Sequence, residues 1–187
     1  VAAIASPSHG NAQRSNYSAF SQKTDARSLS PDAQDAVASE KEDEKLRDTY
    51  GRTEFGQSCL LCHRLVQSGV RFVTVNYGGW DQHAKIFENL DKKLPEFDQG
   101  LAALFTDMHE RGTPKDTLVL VMGEFGRTPK VNTDAGRDHW GRAGSLLFAG
   151  AWVQGGRLIG TPATAAALVT RHPARPREAL RTPQRVP

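Results

Sequence analysis

The sequence predicts an α/β fold in which a mostly parallel sheet is flanked by helices. Two short apolar runs, Arg71–Val75 and Thr117–Met122, are rich in β-branched residues and are typical of buried strands. Between them, residues 84–111 carry apolar side chains at intervals of three and four, as an amphipathic helix does. A strand, a helix and a second strand in this order indicate a βαβ unit, and both strand-end turns of such a unit lie at one edge of the sheet.

Composition divides the 187 residues into three parts. Residues 1–30 are rich in Ser, Ala, Asn and Gln and predict a mobile or peripheral lead-in. Residues 31–160 carry the periodic segments and predict an α/β domain. Residues 161–187 predict an irregular tail rich in Arg and Pro. We expect one folded domain with a segment outside its core at each end.

The net charge of +3 arises in the tail, because residues 171–187 hold five arginines against one glutamate. A basic tail is not a basic patch on a fold, so we expect no nucleic-acid partner. No apolar run approaches the roughly 20 residues of a membrane-spanning helix. We therefore expect no transmembrane segment.

The remaining elements follow from helix and turn signals. A surface helix is expected to start at Pro31 and to close at Gly51. Residues 54–69 predict a second amphipathic helix. Pro95 is expected to break or restart the helix within residues 84–111. Residues 130–142 predict a polar loop, and Ser145–Ala149 predicts a third strand.

Acidic, imidazole and guanidinium groups follow the predicted strands. They are Asp81 with His83, Glu124 with Arg127, and Asp138 with His139. Oxygen and imidazole ligands together suit zinc, manganese or iron. Arg127 and Arg137 are predicted to bind an anionic substrate, because guanidinium groups hold oxyanions bidentately.

Each of these residues also has a plain structural interpretation. Asp81 is expected to cap the following helix if it binds no metal. Glu124 is expected to pair with Arg127 across one turn, and His139 to be an exposed loop imidazole. The large aromatic residues Trp80, Trp140 and Trp152 follow or precede Gly-rich turns and are expected to serve packing.

Residues Cys59-Leu-Leu-Cys62-His63 match the c-type haem attachment pattern. Haem attachment needs both thiols free and a distal ligand, for which Met108, Met122 or His109 qualifies. The same pentapeptide lies inside a predicted amphipathic helix, where cysteine commonly behaves as a small hydrophobe. A haem site and a purely structural role both stay open.

Several ordered motifs resemble the bacterial domain of unknown function 1501, a family abundant in planctomycetes and grouped with the alkaline phosphatase/sulfatase-like superfamily. The motifs are Tyr50-Gly, Phe55-Gly-Gln-Ser-Cys-Leu-Leu, Gly69-Val-Arg-Phe-Val-Thr-Val, Gly79-Trp-Asp-Gln-His, Thr117-Leu-Val, Gly123-Glu-Phe-Gly-Arg-Thr-Pro and Gly136-Arg-Asp-His-Trp. The resemblance covers roughly residues 30–160, and the tail after about Val169 does not share it.

The resemblance implies an alkaline-phosphatase-like fold, here incomplete, with a divalent metal (zinc, manganese or calcium) at the strand ends. It gives Asp81 and His83 the first ligand role, Glu124 the second and His139 the third. Glu124-Phe125 departs from the Asp-His pair of the characterised enzymes. The implied substrates are phosphate or sulfate esters, and the implied location is outside the cytoplasm.

Enzymes of that superfamily carry a further metal-binding Asp and their nucleophile well upstream of these motifs. No segment before Tyr50 is typical of such a site. The sequence thus predicts the C-terminal part of a metal-dependent hydrolase, inactive alone because the nucleophile-bearing half is missing. The alternatives are a c-type haem electron carrier and a non-catalytic binding module.

Overall fold

A computed structural model describes residues 31–38, 42–151, 153–162 and 169–171. The chain divides into two compact units, formed by residues 1–78 with 94–113 and by residues 79–93 with 114–187. The helices are α1 (Pro31–Val37), α2 (Glu44–Tyr50), α3 (Glu54–Gln67) and α4 (Ile86–Glu110), followed by a 3₁₀ turn (Thr113–Lys115). The strands are β1 (Leu118–Met122), β2 (Gly126–Arg127), β3 (His139–Trp140), β4 (Leu146–Gly150), β5 (Thr161–Pro162) and β6 (Val169–Arg171).

The first unit places α3 at the centre of its buried core. Thr53 caps this helix, because its side chain accepts a hydrogen bond from the Gly56 N–H at 3.1 Å. Its apolar positions bury Phe55, Cys59, Leu60 and Cys62. The helix predicted over residues 54–69 is therefore present, two residues shorter than expected.

The single surface helix predicted between Pro31 and Gly51 is wrong, because two helices, α1 and α2, occupy this stretch. Asp43 starts the second helix by accepting a hydrogen bond from the Lys45 N–H at 2.8 Å. A new N-cap inside the stretch allows the chain to change direction there.

The break or restart predicted at Pro95 is also wrong, because α4 runs unbroken from Ile86 to Glu110. A helical proline leaves the carbonyl four residues earlier without its amide partner. That carbonyl belongs to Asp91, which is exposed, so water can replace the missing donor. Pro95 lies one residue beyond Leu94, where the second stretch of the first unit begins.

The described strands pair antiparallel in two-stranded sheets: β1 with β4, β2 with β3, and β5 with β6. The strands expected at residues 117–122 and 145–149 are present as β1 and β4. The strand expected at residues 71–75 is not regular, since only Thr74 has bridge geometry and Phe72 is 80% exposed. A strand needs a hydrogen-bonding neighbour, and sequence pattern alone does not supply one. The larger parallel sheet remains a prediction.

The predicted lead-in at residues 1–30, Trp152 and most of the predicted tail lie outside the described residues. Within the described ranges, no helix combines the length and the apolar character needed to cross a bilayer.

Candidate metal site

Three side chains of the second unit bring one potential metal-ligating atom each to a common point. His139 Nε2 lies 2.8 Å from Asp81 Oδ1, and His83 Nε2 lies 3.0 Å from the same oxygen. The two imidazole Nε2 atoms are 3.2 Å apart. In the part of the chain that is described, Asp81, His83 and His139 are the group of acidic, thiol or imidazole residues close enough to hold one ion.

Backbone contacts hold the two ligand-bearing segments together. Ala84 and Ala135 form an antiparallel bridge, and the Arg137 N–H donates to the Gln82 carbonyl at 2.9 Å. Gly136 is buried beside His83, where a Cβ atom would lie 2.0 Å from the His83 carbonyl carbon. Glycine is therefore required at position 136, because only a residue without Cβ permits this approach.

The pairing of β2 with β3 places Arg127 opposite His139. The segment predicted as a polar loop over residues 130–142 therefore contains a short strand, β3, in which His139 pairs with Arg127. Phe125, just before β2, packs against the His139 ring at a centroid distance of 4.3 Å, with the ring planes tilted by 44°. Cross-strand pairing and an aromatic contact both restrict the position of the His139 imidazole.

Asp138 bonds to the other nitrogen of His83, with Nδ1 and Oδ1 2.8 Å apart. The hydrogen bond from His83 lowers the pKa of Asp138, so the carboxyl group is ionised at neutral pH. An ionised carboxylate only accepts hydrogen bonds, so it fixes the Nδ1–H form of the imidazole. In the neutral imidazole, Nε2 of His83 then carries the lone pair, on the side of the ring that faces Asp81 and His139.

Arg127 contacts the carboxylate of the site, that of Asp81. One guanidinium nitrogen donates to Asp81, and the other donates to the Arg137 carbonyl at 3.2 Å. The hydrogen bond from His139, followed by that from Arg127, lowers the pKa of Asp81 to about 2. Asp81 is consequently an anion over the whole physiological range.

The three ligand atoms fit the first coordination shell of a divalent ion. Bonds of about 2.0–2.1 Å set neighbouring ligand atoms about 2.9 Å apart at octahedral angles and about 3.4 Å apart at tetrahedral angles. The separations here run from 2.8 to 3.2 Å. The three side chains of Asp81, His83 and His139 are about half exposed, at 61%, 47% and 49%, so solvent reaches the cluster.

The remaining predicted site residues lie differently. Glu124 follows β1, is exposed, and is not a member of the three-residue group among the described residues, so its role as a ligand stays a prediction. Arg137 donates from its side chain to the Thr128 and Pro129 carbonyls at 2.7 and 2.5 Å. This guanidinium braces a loop, and the anion-binding role predicted for it stays a prediction.

Sequence reasoning missed Asn132 and gave Asp138 no separate task. Asn132 Oδ1 accepts from the Asp134 and Gly136 N–H groups at 3.0 and 2.9 Å. An Asn two to four residues before Gly in a polar segment is a turn signal of this kind. The signal was available in Asn132-Thr-Asp-Ala-Gly136, but its connection to His83 depends on the tertiary structure.

The cysteines of the haem-like pattern are buried in α3, at 2% and 3% exposure for Cys59 and Cys62. Burial raises the pKa of both thiols to about 12. His63 is also enclosed: Nδ1 lies 2.8 Å from Asp107 Oδ2 and Nε2 lies 3.1 Å from Thr113 Oγ1. The described arrangement engages both imidazole nitrogens within the protein and offers no support for haem ligation.

The structure thus presents mixed helices and short strands with an exposed Asp–His–His cluster. A family model described as "Protein of unknown function (DUF1501)" matches residues 4–183, and the chain belongs to this family. The match is wider than the stretch of roughly 30–160 indicated by the motifs, and it includes most of the tail expected to lie outside the family. The chain matched no curated protein and no solved structure.

Proposed function

We propose that Asp81, His83 and His139 bind a divalent metal ion and that the complete protein hydrolyses phosphate or sulfate esters. The observation that carries the proposal is the contact between His83 Nε2 and Asp81 Oδ1 at 3.0 Å. With Nδ1–H donated to Asp138, both of these atoms present lone pairs to each other. Two acceptors repel at this distance unless a proton or a metal cation lies between them. His139 Nε2 would be the third ligand of such a cation, after losing the proton that it donates to Asp81 in the metal-free protein.

The ligand set favours a metal ion that acts on ester oxygens. Two imidazoles and one carboxylate, with solvent access, are typical of catalytic metal centres that keep positions open. A divalent ion there would act as a Lewis acid on a phosphoryl or sulfuryl oxygen. Oxygen and nitrogen ligands suit zinc or manganese, and the family resemblance adds calcium.

Arg127 supplies the positive charge for the ester's anionic group. Its guanidinium already contacts Asp81, and its second donor is held by a backbone carbonyl. These two bonds use two of the five guanidinium N–H groups, and the others can bind an oxyanion and orient it toward the ion. The predicted partner is accordingly an anionic small molecule or a sulfated or phosphorylated substrate.

Metal binding to the purified full chain tests the proposal. We expect elemental analysis after extensive dialysis, together with calorimetric titration, to show zinc or manganese near one equivalent. Asp81→Asn and His139→Gln should each weaken binding at least tenfold without changing the circular dichroism spectrum. His109→Gln is the matched control, because His109 is an exposed histidine of the other unit. Equal affinity in all four proteins would overturn the proposal and favour a non-catalytic binding module.

Turnover by this chain alone tests the second half of the proposal. The recognised motifs supply ligands and an anion-binding arginine, and the resemblance assigns the nucleophile to an upstream region. We therefore expect weak or no hydrolysis of an aryl phosphate or aryl sulfate by the chain, with or without added metal. Rapid turnover that disappears with a chelator and in Asp81→Asn would show that these residues suffice.

A further inference from the structure

On its Nδ1 side, the imidazole of His83 is held by hydrogen bonds to residues that are not proposed metal ligands. His83 Nδ1 bonds to Asp138 Oδ1 at 2.8 Å, and the Asn132 side-chain amide donates to the same oxygen at 3.3 Å. The same amide also donates to the His83 carbonyl at 3.0 Å. Asn132 therefore contacts both the backbone of His83 and the carboxylate that orients its ring.

We infer that Asp138 and Asn132 are positioning residues that hold His83 in the Nδ1–H form, with Nε2 free for the metal. This inference rests on the proposed function for its purpose, but the form of the imidazole is a property of the metal-free protein. Neutral imidazole carries one N–H, and the partner of that N–H decides which nitrogen remains a ligand.

The backbone of Asp138 is fixed independently of its side chain. Its N–H donates to Thr128 Oγ1 at 3.1 Å, and its carbonyl accepts from the Thr128 N–H at 2.9 Å. These bonds hold the Asp138 backbone beside His83, in the position just before β3. The side chain of Asp138 lies on the Nδ1 side of the ring, away from the triangle of ligand atoms, which separates its role from that of Asp81.

Asn132 does what neither Asp nor Ala can do at this position. Its oxygen accepts from two backbone N–H groups, those of Asp134 and Gly136, while its nitrogen donates to Asp138 and to the His83 carbonyl. Aspartate would still accept from the two N–H groups, but it would lose the two hydrogen bonds that the Asn132 nitrogen donates and would place a like charge beside Asp138. Alanine would lose all four hydrogen bonds.

The test reads the His83 imidazole directly. Side-chain ¹⁵N NMR of the metal-free full chain at pH 8, with the His83 signals assigned from a His83→Gln spectrum, distinguishes Nδ1–H from Nε2–H. We expect the Nδ1–H form in the wild type. Asp138→Asn should shift it toward Nε2–H, because an amide in place of the orienting carboxylate can donate to Nδ1 and select the wrong tautomer.

Zinc affinity of the same proteins provides the second readout. Asp138→Asn should weaken binding about 10–100-fold, the usual effect of losing the partner of a metal-bound histidine. Asn132→Asp should give a smaller loss, and Asp134→Asn, an exposed neighbour in the same loop, should change nothing.

The outcomes separate this inference from the proposed function. An Nε2–H form of His83 in the wild type would overturn the inference even if every variant failed to fold. An unchanged tautomer and unchanged affinity in Asp138→Asn would overturn it while metal binding survived. A tautomer that depends on Asp138 in a protein that binds no metal would support the positioning role and defeat the proposed function.

Discussion

Replacing Gly136 by alanine should disrupt the candidate metal site without touching a ligand. The new Cβ atom would lie 2.0 Å from the His83 carbonyl carbon, 2.1 Å from its oxygen and 2.4 Å from the Ala84 nitrogen. All three are backbone atoms, so a rotamer change cannot relieve the overlap. The segment that carries Asp138 and His139 must move away from His83 by about 1.5 Å to restore ordinary van der Waals contact.

The cost follows from the contacts that this movement breaks. Overpacking of a tight site costs about 1–3 kcal/mol. The movement also strains the backbone hydrogen bond from Arg137 to Gln82 and that from Ile86 to Ala135, each 2.9 Å long, and a lost bond of this kind costs about 0.5–1.5 kcal/mol. A total of about 2–6 kcal/mol corresponds to a decrease in Tm of about 4–24 °C for a chain of this size. Zinc affinity should fall at least tenfold, because the His83 and His139 nitrogens separate.

Thermal unfolding and zinc titration of Gly136→Ala measure both effects. Gly141→Ala is the matched control, because no atom lies within 4 Å of the Cβ position at Gly141 and its φ lies outside the left-handed region. If Gly136→Ala unfolded within about 0.5 kcal/mol of the wild type and bound zinc equally well, the close approach of the two segments would be refuted.

Three further predictions concern other described residues. Tyr50→Phe removes a 2.8 Å hydrogen bond to a buried carboxylate and should cost about 1.5–3 kcal/mol in urea unfolding. Tyr77→Phe, which removes an exposed 3.1 Å bond, should cost less than about 1 kcal/mol; equal losses would contradict this reasoning. Because the folded-state pKa of Asp81 is depressed to about 2, its stabilising contribution should be complete above about pH 4 and lost toward pH 2. An acid titration of Asp81→Asn that kept the wild-type slope in this range would contradict it. After co-expression with haem-attachment machinery, the denatured protein should show no Soret absorption from covalently bound haem, since Cys59 and Cys62 are buried thiols.

The helical part of the fold is largely predictable from sequence because its signals are local. Apolar residues at three- and four-residue spacing indicate α3 and α4, and the composition of residues 117–122 and 145–149 indicates β1 and β4. The errors occur where a local rule competes with its surroundings. Pro95 has the signal of a helix break, although the helix continues through it beside the exposed residue Asp91. Residues 71–75 have strand composition without a regular strand.

The ligand types are predictable from chemistry, and three of the four predicted ligands, Asp81, His83 and His139, converge in the structure. The reason given for their proximity was a parallel βαβ unit, whereas the described contacts are the Ala84–Ala135 bridge and the pairing of β2 with β3. Residue type therefore indicates these three side chains, whereas the contacts that join their segments are seen only in the structure.

The sequence by itself determined which side chains are available and where the chain turns, because ligand chemistry, helical periodicity and glycine turns are properties of short segments. Only the tertiary structure decided that Asp138 faces His83 across 55 residues of chain, that Asn132 supports both, and that Arg137 is used on loop carbonyls. These assignments depend on distances between segments that are remote in sequence. No local pattern encodes such distances, since they are set by the packing of the second unit as a whole.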